Sequence, residues 1–140
     1  MALRIFEKLF NVPPWKDAEY ITDHQGEKFW FYELEGEGVG RFRVRHRSYP
    51  AGSINLVRDD DTHLTLADIH IVEKYRKRGL GKKLLQKAVR WAKENHLVEI
   101  RGFIKAHGGE AEEYVREWYQ RQGFQVYEVE SGKYQIRMSL

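Results

Sequence analysis

The sequence contains no cysteine among its 140 residues, and this absence removes several kinds of site at once. Disulfides, a thiolate nucleophile and a cysteine-ligated zinc site are all excluded. The six histidines are not spaced as paired metal ligands, so we expect no metal centre. No apolar run is long enough to cross a membrane, and residues 1–10 lack the apolar core of a signal peptide. We therefore expect a cytoplasmic protein without a membrane partner.

The length and composition that are present favour one compact enzyme-sized domain. A chain of 140 residues with 41% apolar and 14% aromatic residues is large enough to bury a core. We therefore predict a single domain over residues 1–140, without internal repeats or low-complexity segments. The net charge of +3 favours anionic ligands, which include phosphorylated cofactors and nucleic acid. Charge alone does not choose between them.

Hydrophobic periodicity predicts several strands and two clear helices. The predicted strands are Lys28–Leu34, Gly40–Arg47, Ser53–Val57, Leu64–Val72, Val98–Ile104, Phe124–Val129 and Tyr134–Leu140. The predicted helices run from Leu80 to about Asn95 and from Glu110 to Arg121. Leu3–Leu9 suits a strand or a short helix, and Pro13–His24 is predicted to be a short helix because proline is favoured near a helix start.

The most informative segment is Val72–Leu85, where an apolar strand ends and a lysine-flanked glycine turn opens a helix. Gly79 and Gly81 remove side chains where the backbone must approach a ligand. The helix that follows directs unpaired N–H groups to the same place, so an anion fits there. Lys82 and Lys83 can add positive charge. For this loop taken alone, a tight connection without a ligand is the alternative.

Three features occur in a set order along the chain: the apolar strand, R-x-x-G-x-G at residues 76–81, and Y-x-x-x-G-F at residues 119–124. In this order they resemble the GNAT superfamily of acetyl-coenzyme A-dependent N-acetyltransferases, over roughly residues 28–140. The resemblance implies an α/β fold of the α+β type, with a mixed, mostly antiparallel twisted sheet flanked by helices and a splayed central strand pair. It also implies acetyl-CoA as co-substrate and a primary amine as acceptor.

In this resemblance the glycine loop and the strand before it bind the cofactor. The loop amides hold the pyrophosphate, and the backbone at the strand end pairs with pantetheine. The implied cofactor-binding residues are Ile71, Val72, Arg76, Lys77, Arg78, Gly79, Leu80, Gly81 and Lys82. Lys77 stands where many relatives carry glycine, and it is harmless if its backbone angles are ordinary and its side chain points to solvent.

Tyr119 lies four residues before Gly123, which is the offset of the family tyrosine that protonates the departing thiolate. A thiol has a pKa of about 8.5, so a nearby phenol can supply a proton as the tetrahedral intermediate collapses. A packing tyrosine is the alternative, although Trp118 and Phe124 already supply aromatic packing. Many relatives place asparagine seven residues before this tyrosine. This chain has Glu112 there, which leaves that pantetheine contact open.

The sequence leaves the general base open. Acetyl transfer to an amine needs a neutral nucleophile, so a carboxylate or imidazole must accept its proton, often through water. Thr65 occupies the position where some histone-acetylating relatives carry glutamate. Asp68 and His70 are the nearest substitutes, as base, substrate contact or structural group, and Glu99 is a further candidate.

The apolar pattern of the central strand changes phase near Asp68. Leu64 and Leu66 share one face, whereas Ile69 and Ile71 share the other, because strand side chains alternate. A bulge near Asp68 would bring all four into the core and splay the strand from its parallel neighbour. A strand buried on both faces is the alternative.

Gly40–Arg47 places four arginines on one strand face, which would suit RNA or an acidic substrate. Glu33, Glu35 and Glu37 alternate along the preceding strand and turn. We expect them to oppose the arginines as cross-strand pairs, so nucleic acid is the disfavoured partner. A module that binds CoA or nucleic acid without catalysis is the alternative function.

The acceptor is predicted from spacing. Between about Phe10 and Lys28 there is room for one short helix at about 1.5 Å per residue, where family members usually fit two. The cleft is therefore expected to be open to a protein, a peptide or a polyamine. Residues 106–109 are glycine-rich and can form its other wall. The oligomeric state is left open, and a homodimer is compatible with the sequence.

Overall fold

The computed structural model describes residues 18–34, 39–104 and 111–140, which form eight strands and two α-helices. The strands are β1 (Glu19–Thr22), β2 (Lys28–Leu34), β3 (Val39–His46), β4 (Tyr49–Arg58), β5 (His63–Ile71), β6 (Glu99–Phe103), β7 (Gln125–Glu130) and β8 (Lys133–Ser139). The helices are α1 (Leu80–Glu94) and α2 (Glu112–Arg121), and a short 3-10 turn spans Glu73–Tyr75. Neither helix combines the length and the apolarity that crossing a bilayer requires in this part of the chain.

The strands form one sheet in the order β1-β2-β3-β4-β5-β6-β8-β7. The β1–β2, β2–β3, β6–β8 and β7–β8 pairs are antiparallel, whereas β5 and β6 are parallel. A parallel pair needs a long crossover, and the 3-10 turn and α1 supply it between β5 and β6. The predicted mixed sheet flanked by helices is therefore confirmed.

The chain divides into two compact units, and the first contains the described residues up to Asn55 together with Asp68–Ala88. Phe29 and Phe31 alternate along β2 and are buried, as alternation in a half-buried strand predicts. Leu80, Leu84 and Leu85 recur at helical spacing on α1 and are also buried. The remaining buried apolar residues of this unit are Ile21, Phe42, Val44, Ala51, Ile54, Tyr75 and Ala88.

The second unit contains Leu56–Ala67 and Val89–Leu140. Its parallel ladder joins His63–Leu66 to Glu99–Gly102, and β5 continues beyond the ladder to Ile71. Its buried apolar residues are Leu56, Leu64, Leu66, Ala92, Leu97, Ile100, Tyr119, Phe124 and Ile136. The single domain over residues 1–140 stays a prediction.

The helix predicted over Pro13–His24 is wrong in its described part, because Glu19–Thr22 is strand β1. Ile21 lies opposite Phe29, and the Asp23 side chain accepts the backbone N–H groups that close the turn between β1 and β2. Pairing with β2 therefore prevails over helical propensity. Leu3–Leu9 and residues 13–17 lie outside the described residues.

Other predicted elements agree to within a few residues. β2 has the predicted bounds, and α1 ends one residue before the expected Asn95. α2 begins at Glu112 rather than Glu110, because residue 111 still has extended angles. β4 is longer than predicted, and it starts at Tyr49 instead of Ser53.

The phase change predicted in β5 has a counterpart in its pairing with β4. The N–H of Asp59 donates to the carbonyl of His63 at one end of this pair, and Val72 donates to Ala51 at the other. From His63 to Val72 the chain advances by nine positions, whereas the opposite segment from Ala51 to Asp59 advances by eight. One extra residue on the β5 side is what a bulge in β5 produces. Ile69 and Ile71 are nevertheless only half-buried, so the expectation that all four apolar residues enter the core is wrong.

The cross-strand pairs expected for the arginines of β3 are wrong for Glu33, which lies opposite Phe42. The register pairs Leu34 with Arg41, Tyr32 with Arg43 and Trp30 with Arg45. Directly opposite residues have their side chains on the same face of the sheet. Glu33 and the arginines of β3 therefore lie on opposite faces. Residues 35–38, which include Glu35 and Glu37, lie outside the described residues.

Candidate functional site

The glycine loop follows β5, and three hydrogen bonds fix the segment between them. Arg76 donates Nε–H to the carbonyl of Ile71 at 2.8 Å. Val72 donates its N–H to Ala51 at 2.8 Å and accepts the N–H of Tyr75 at 2.8 Å. Each of these two carbonyl oxygens keeps a second lone pair, so Ile71 and Val72 can still accept from amide donors of a ligand.

The loop backbone adopts left-handed angles at two positions. Gly79 has φ +80°, which glycine tolerates without cost. Lys77 has φ +61°, so the first condition under which a lysine here would be harmless, ordinary backbone angles, is not met. Its side chain is exposed, so the second condition is met. A non-glycine residue pays about 1–2 kcal/mol for this conformation, so the rest of the loop must hold it there.

The turn between β1 and β2 packs against this loop within the first unit. The backbone N–H of His24 donates to the carbonyl of Arg78 at 2.9 Å. A β-carbon on Gly79 would lie 2.7 Å from Cδ2 of His24 and closer still to Nε2. Glycine is therefore favoured at position 79 by its angle, and a larger residue would also have to displace the exposed imidazole ring of His24.

Arg78 joins the loop to two carboxylates of the same turn. Its Nη1 lies 3.0 Å from Oε2 of Glu27 and 3.5 Å from Oδ2 of Asp23. Burial of Asp23 raises the pKa of its carboxyl, but hydrogen bonds from the N–H groups of Glu27 and Gln25, together with Arg78, outweigh this and leave the pKa lowered. Asp23 therefore stays ionised at neutral pH and holds the turn in shape.

The N-terminus of α1 carries positive partial charge and no acidic side chain in its first turn. Lys82 is exposed beside it. Lys83 is half-buried, and its Nζ donates to the carbonyl and the hydroxyl of Thr22, so its ammonium points to β1 rather than to the helix start. The amides at residues 80–82 and the Lys82 ammonium together suit a phosphate group.

Asp68 lies on β5 in a polar row across three neighbouring strands. Arg43 donates Nη1–H to Oδ1 of Asn55 at 3.0 Å, and Asn55 donates Nδ2–H to Oδ2 of Asp68 at 3.3 Å. Asp68 is half-buried, whereas His70 is exposed two residues later. The amide of Asn55 thus orients the Asp68 carboxylate and leaves its other oxygen available to accept a proton.

Tyr119 lies on α2 in the second unit and is 8% exposed. Its ring makes edge contacts with Trp118 at 5.1 Å and Phe124 at 5.5 Å between centroids. Aromatic packing on both sides fixes the ring. Tyr119 therefore contributes to aromatic packing, and its catalytic role remains a prediction.

The remaining candidates also lie in the second unit. Glu99 on β6 lies 3.8 Å from Nε of Arg137. Thr65 donates its hydroxyl to Asp59 at 2.6 Å. Glu112 lies in the first turn of α2, where its charge favours the helix N-terminus. No group of three or more His, Asp and Glu side chains suited to a metal occurs in residues 18–34, 39–104 and 111–140.

Sequence reasoning missed the contribution of the β1–β2 turn, which supplies Asp23, His24 and Glu27 to the loop. A usable signal was present: Asp23 and Gly26 frame a tight turn, and Gly26 has φ +80°. The helix predicted over Pro13–His24 is incompatible with a turn that starts at Asp23, so the turn is not predicted.

Comparison with known proteins gives this geometry a family context. The profile of the acetyltransferase (GNAT) family matches residues 2–124. Streptothricin acetyltransferase A of Bacillus subtilis is 31% identical over 97 residues, which cover 64% of this chain. The chain spans 49% of that curated relative's length.

Solved structures share the fold. The GNAT domain of PAT from S. lividans superposes with a TM-score of 0.76 at 8% identity, covering 92% of this chain and 100% of that domain. The PaiA N-acetyltransferase of Thermoplasma acidophilum, solved with coenzyme A, gives 0.64 at 17% identity over 74% of this chain and 62% of its own. An acetyltransferase of Elizabethkingia anophelis with acetyl-CoA bound gives 0.61 at 17% identity over 74% and 77%. With the family profile spanning most of its length, the chain belongs to the GNAT acetyltransferase family.

Proposed function

We propose that the protein transfers the acetyl group of acetyl-CoA to a primary amine by direct attack. The observation that carries this proposal is the loop of residues 76–81, which has left-handed angles at Lys77 and Gly79 and leads into the N-terminus of α1, whose first turn has no acidic side chain. Helix N–H groups aimed at one point bind phosphate. Fold neighbours with CoA or acetyl-CoA bound support the same assignment.

The residues present fit this cofactor. The amides of Arg78–Lys82 and the Lys82 ammonium supply donors for the pyrophosphate, and no acidic side chain in the first turn of α1 opposes it. The carbonyl oxygens of Ile71 and Val72 keep the capacity to accept from the amides of pantetheine. Bound acetyl-CoA supplies a thioester carbonyl that an amine can attack.

The chain contributes an acid and a base to this chemistry. Tyr119 donates its phenolic proton to the departing thiolate. Asp68 or His70 accepts the proton that the amine must lose, directly or through water, and Glu99 is the reserve candidate. The contact with Asn55 supports Asp68, because it orients the carboxylate.

We infer that the acceptor amine belongs to a protein, a peptide or a polyamine. β1 and its turn occupy residues 19–27, so the described part of this segment holds no helix that would wall a small pocket. A second candidate is streptothricin, favoured by the 31% identity with streptothricin acetyltransferase A. A cytoplasmic location is part of the proposal, and fractionation of the source cell tests it.

An acceptor screen that follows free thiol tests the activity. Peptides, polyamines and streptothricin are offered with acetyl-CoA, and the proposal expects amine-dependent thiol release. Activity confined to small amines, with low KM and none on peptides, would reject the large acceptor. Tight binding of CoA without thiol release for any acceptor would instead identify a non-catalytic binding module.

Gly81→Glu tests the phosphate loop itself. A carboxylate beside the pyrophosphate repels it, so binding of acetyl-CoA should be abolished while the protein stays folded. Calorimetry measures the affinity, and circular dichroism checks the fold. An unchanged affinity in a folded variant would show that the phosphate binds elsewhere.

Rate profiles of Asp68→Ala and His70→Ala test the base. Loss of the base should lower the rate most at acidic pH and restore it at alkaline pH, where free amine is abundant. Profiles that keep their shape in both variants would direct attention to Glu99 or to a chain of water molecules.

A further inference from the structure

One carboxylate of the β1–β2 turn contacts two different parts of the first unit. Oε2 of Glu27 accepts from Nη1 of Arg78 at 3.0 Å, and its Oε1 lies 2.5 Å from Nε2 of His46. Arg78 belongs to the glycine loop, whereas His46 ends β3. Glu27 therefore connects the loop to the sheet.

His46 extends this connection to the other end of the loop. Its Nδ1 lies 3.2 Å from the hydroxyl of Tyr75, the last residue of the 3-10 turn. A carboxylate can only accept a hydrogen bond, so Nε2 is the ring nitrogen of His46 placed to donate to Glu27. Phe29 supports the imidazole ring at 5.0 Å between centroids.

These contacts close a ring of side chains around the strained part of the loop. Tyr75 and Arg78 lie on either side of Arg76 and Lys77 in the chain. Arg78 contacts Glu27 directly, and Tyr75 is linked to Glu27 through His46. The Arg78 guanidinium also lies 5.6 Å from the centre of the Tyr75 ring. A left-handed lysine persists only where its surroundings determine its conformation, and this ring of contacts does so at Lys77.

The ring is more protected than an ordinary surface ion pair. The side chains of His46, Arg78 and Glu27 are 16%, 25% and 38% exposed. Partial burial weakens screening by salt and strengthens each contact relative to an exposed pair.

We infer that Glu27 and His46 are positioning residues for the phosphate loop. They act through Arg78 and Tyr75, and they hold the amides of residues 78–82 in the direction that binds the diphosphate of acetyl-CoA. The inference rests on the proposed function, and it assigns to the β1–β2 turn a role in cofactor affinity rather than in the chemical step.

Glu27→Gln tests this role, because it keeps the shape of the side chain and removes its charge. The Kd for CoA and the KM for acetyl-CoA should rise about fivefold, with kcat within about twofold of wild type. S-acetylpantetheine, which lacks the diphosphate, should be used equally well by variant and wild type. A general loss of stability would lower both activities alike.

Glu19→Gln is the matched control. Glu19 lies on β1 and pairs with Lys87 of α1 at 2.5 Å, so this variant removes a similar ion pair that does not touch the loop. Its Kd for CoA should equal that of wild type. Tyr75→Phe is a second test, since it keeps the ring and removes only the bond to His46, and its Kd should rise about twofold.

The outcomes separate the two proposals. Failure of the wild-type protein to bind CoA overturns the proposed function. Binding by wild type with an unchanged Kd in Glu27→Gln and Tyr75→Phe overturns the positioning role. If Glu27→Gln does not fold, the Kd of Tyr75→Phe decides, and a value equal to wild type again overturns it.

Discussion

The glycine loop of the first unit and the Tyr119 region of the second are held in place by different forces. Polar and charged contacts from Asp23, Glu27 and His24 set the loop backbone. Aromatic rings of Trp118 and Phe124 set Tyr119. Hydrogen bonds and ion pairs are directional and depend on pH, whereas aromatic packing is much less so. Changes to the loop should therefore alter cofactor binding, and changes at Tyr119 should alter turnover.

The largest effect is expected for Gly79→Ala, which disturbs the backbone of the glycine loop and leaves the Tyr119 region unchanged. Alanine meets a φ of +80° and must displace the exposed His24 ring, so we expect the free energy of unfolding to fall by about 2 kcal/mol and CoA binding to be lost. Urea titration and calorimetry measure the two effects. Gly132→Ala is the control, because Gly132 has φ +76° with nothing within 4 Å of an added β-carbon. It should cost only about 1 kcal/mol and leave binding intact. Equal losses in both variants would remove His24 from the explanation.

The next effect is expected for Tyr119→Phe, which separates chemistry from packing. The ring contacts remain, so cofactor binding should be kept while turnover falls about ten- to a hundredfold. Steady-state kinetics with single-turnover measurements give both quantities. Tyr114→Phe on the same helix is the control, because Tyr114 is 56% exposed. Unchanged turnover in Tyr119→Phe, with chemistry rate-limiting, would leave this tyrosine a packing role alone.

A smaller effect is expected for Asp23→Asn, and it depends on pH. The pKa of Asp23 is lowered in the folded protein, so its charge stabilises the fold above the unfolded value of about 3.9. This contribution to stability is lost as the pH falls from the pKa of the unfolded chain through the lower pKa that Asp23 has in the folded protein. The variant should be about 1 kcal/mol less stable at pH 7 and converge with wild type in acid. Urea titrations at several pH values measure the difference, and a constant gap down to the most acidic pH would contradict the assignment.

The smallest effect is expected for Lys77→Gly, which relieves the left-handed angle. The gain is offset by the greater freedom of glycine in the unfolded chain, so we expect about 0.5–1 kcal/mol of added stability. His96→Gly is a matched control, because His96 also has φ +61° and lies just after α1. Both variants should gain similar stability in thermal unfolding. A loss in Lys77→Gly alone would show that its side chain contributes a contact that outweighs the strain.

The sequence predicts local features of this fold better than its long-range contacts. β2 and α1 follow from alternation and helical spacing, because their apolar residues repeat with a clear period. β1 lies where the sequence predicts a helix, since four residues are too few to show a period and pairing with β2 decides their conformation. The register that sets Glu33 opposite Phe42 depends on the turn, which the pattern of charges does not determine.

The same division holds for the candidate site. The loop could be located from its glycines and its motif, whereas the carboxylates that hold Arg78 come from residues about fifty positions earlier. Lys77 shows a further limit, because nothing in its neighbours along the chain requires a left-handed angle. The residues on either side of it, Tyr75 and Arg78, instead make contacts with His46 and Glu27, which are distant in sequence.

The strand order carries a consequence for the kinetics of folding. From β1 to β5 every strand lies beside its predecessor in sequence, so short loop closures build this part of the sheet. The parallel pairing of β5 with β6 must wait for the crossover to close around the 3-10 turn, the glycine loop and α1. We therefore expect the amide of His24, which donates to the carbonyl of Arg78 in the loop, to be protected late during refolding, which pulsed hydrogen exchange measures. Under the proposed function, the glycine loop would then become able to bind acetyl-CoA only when the chain is nearly native.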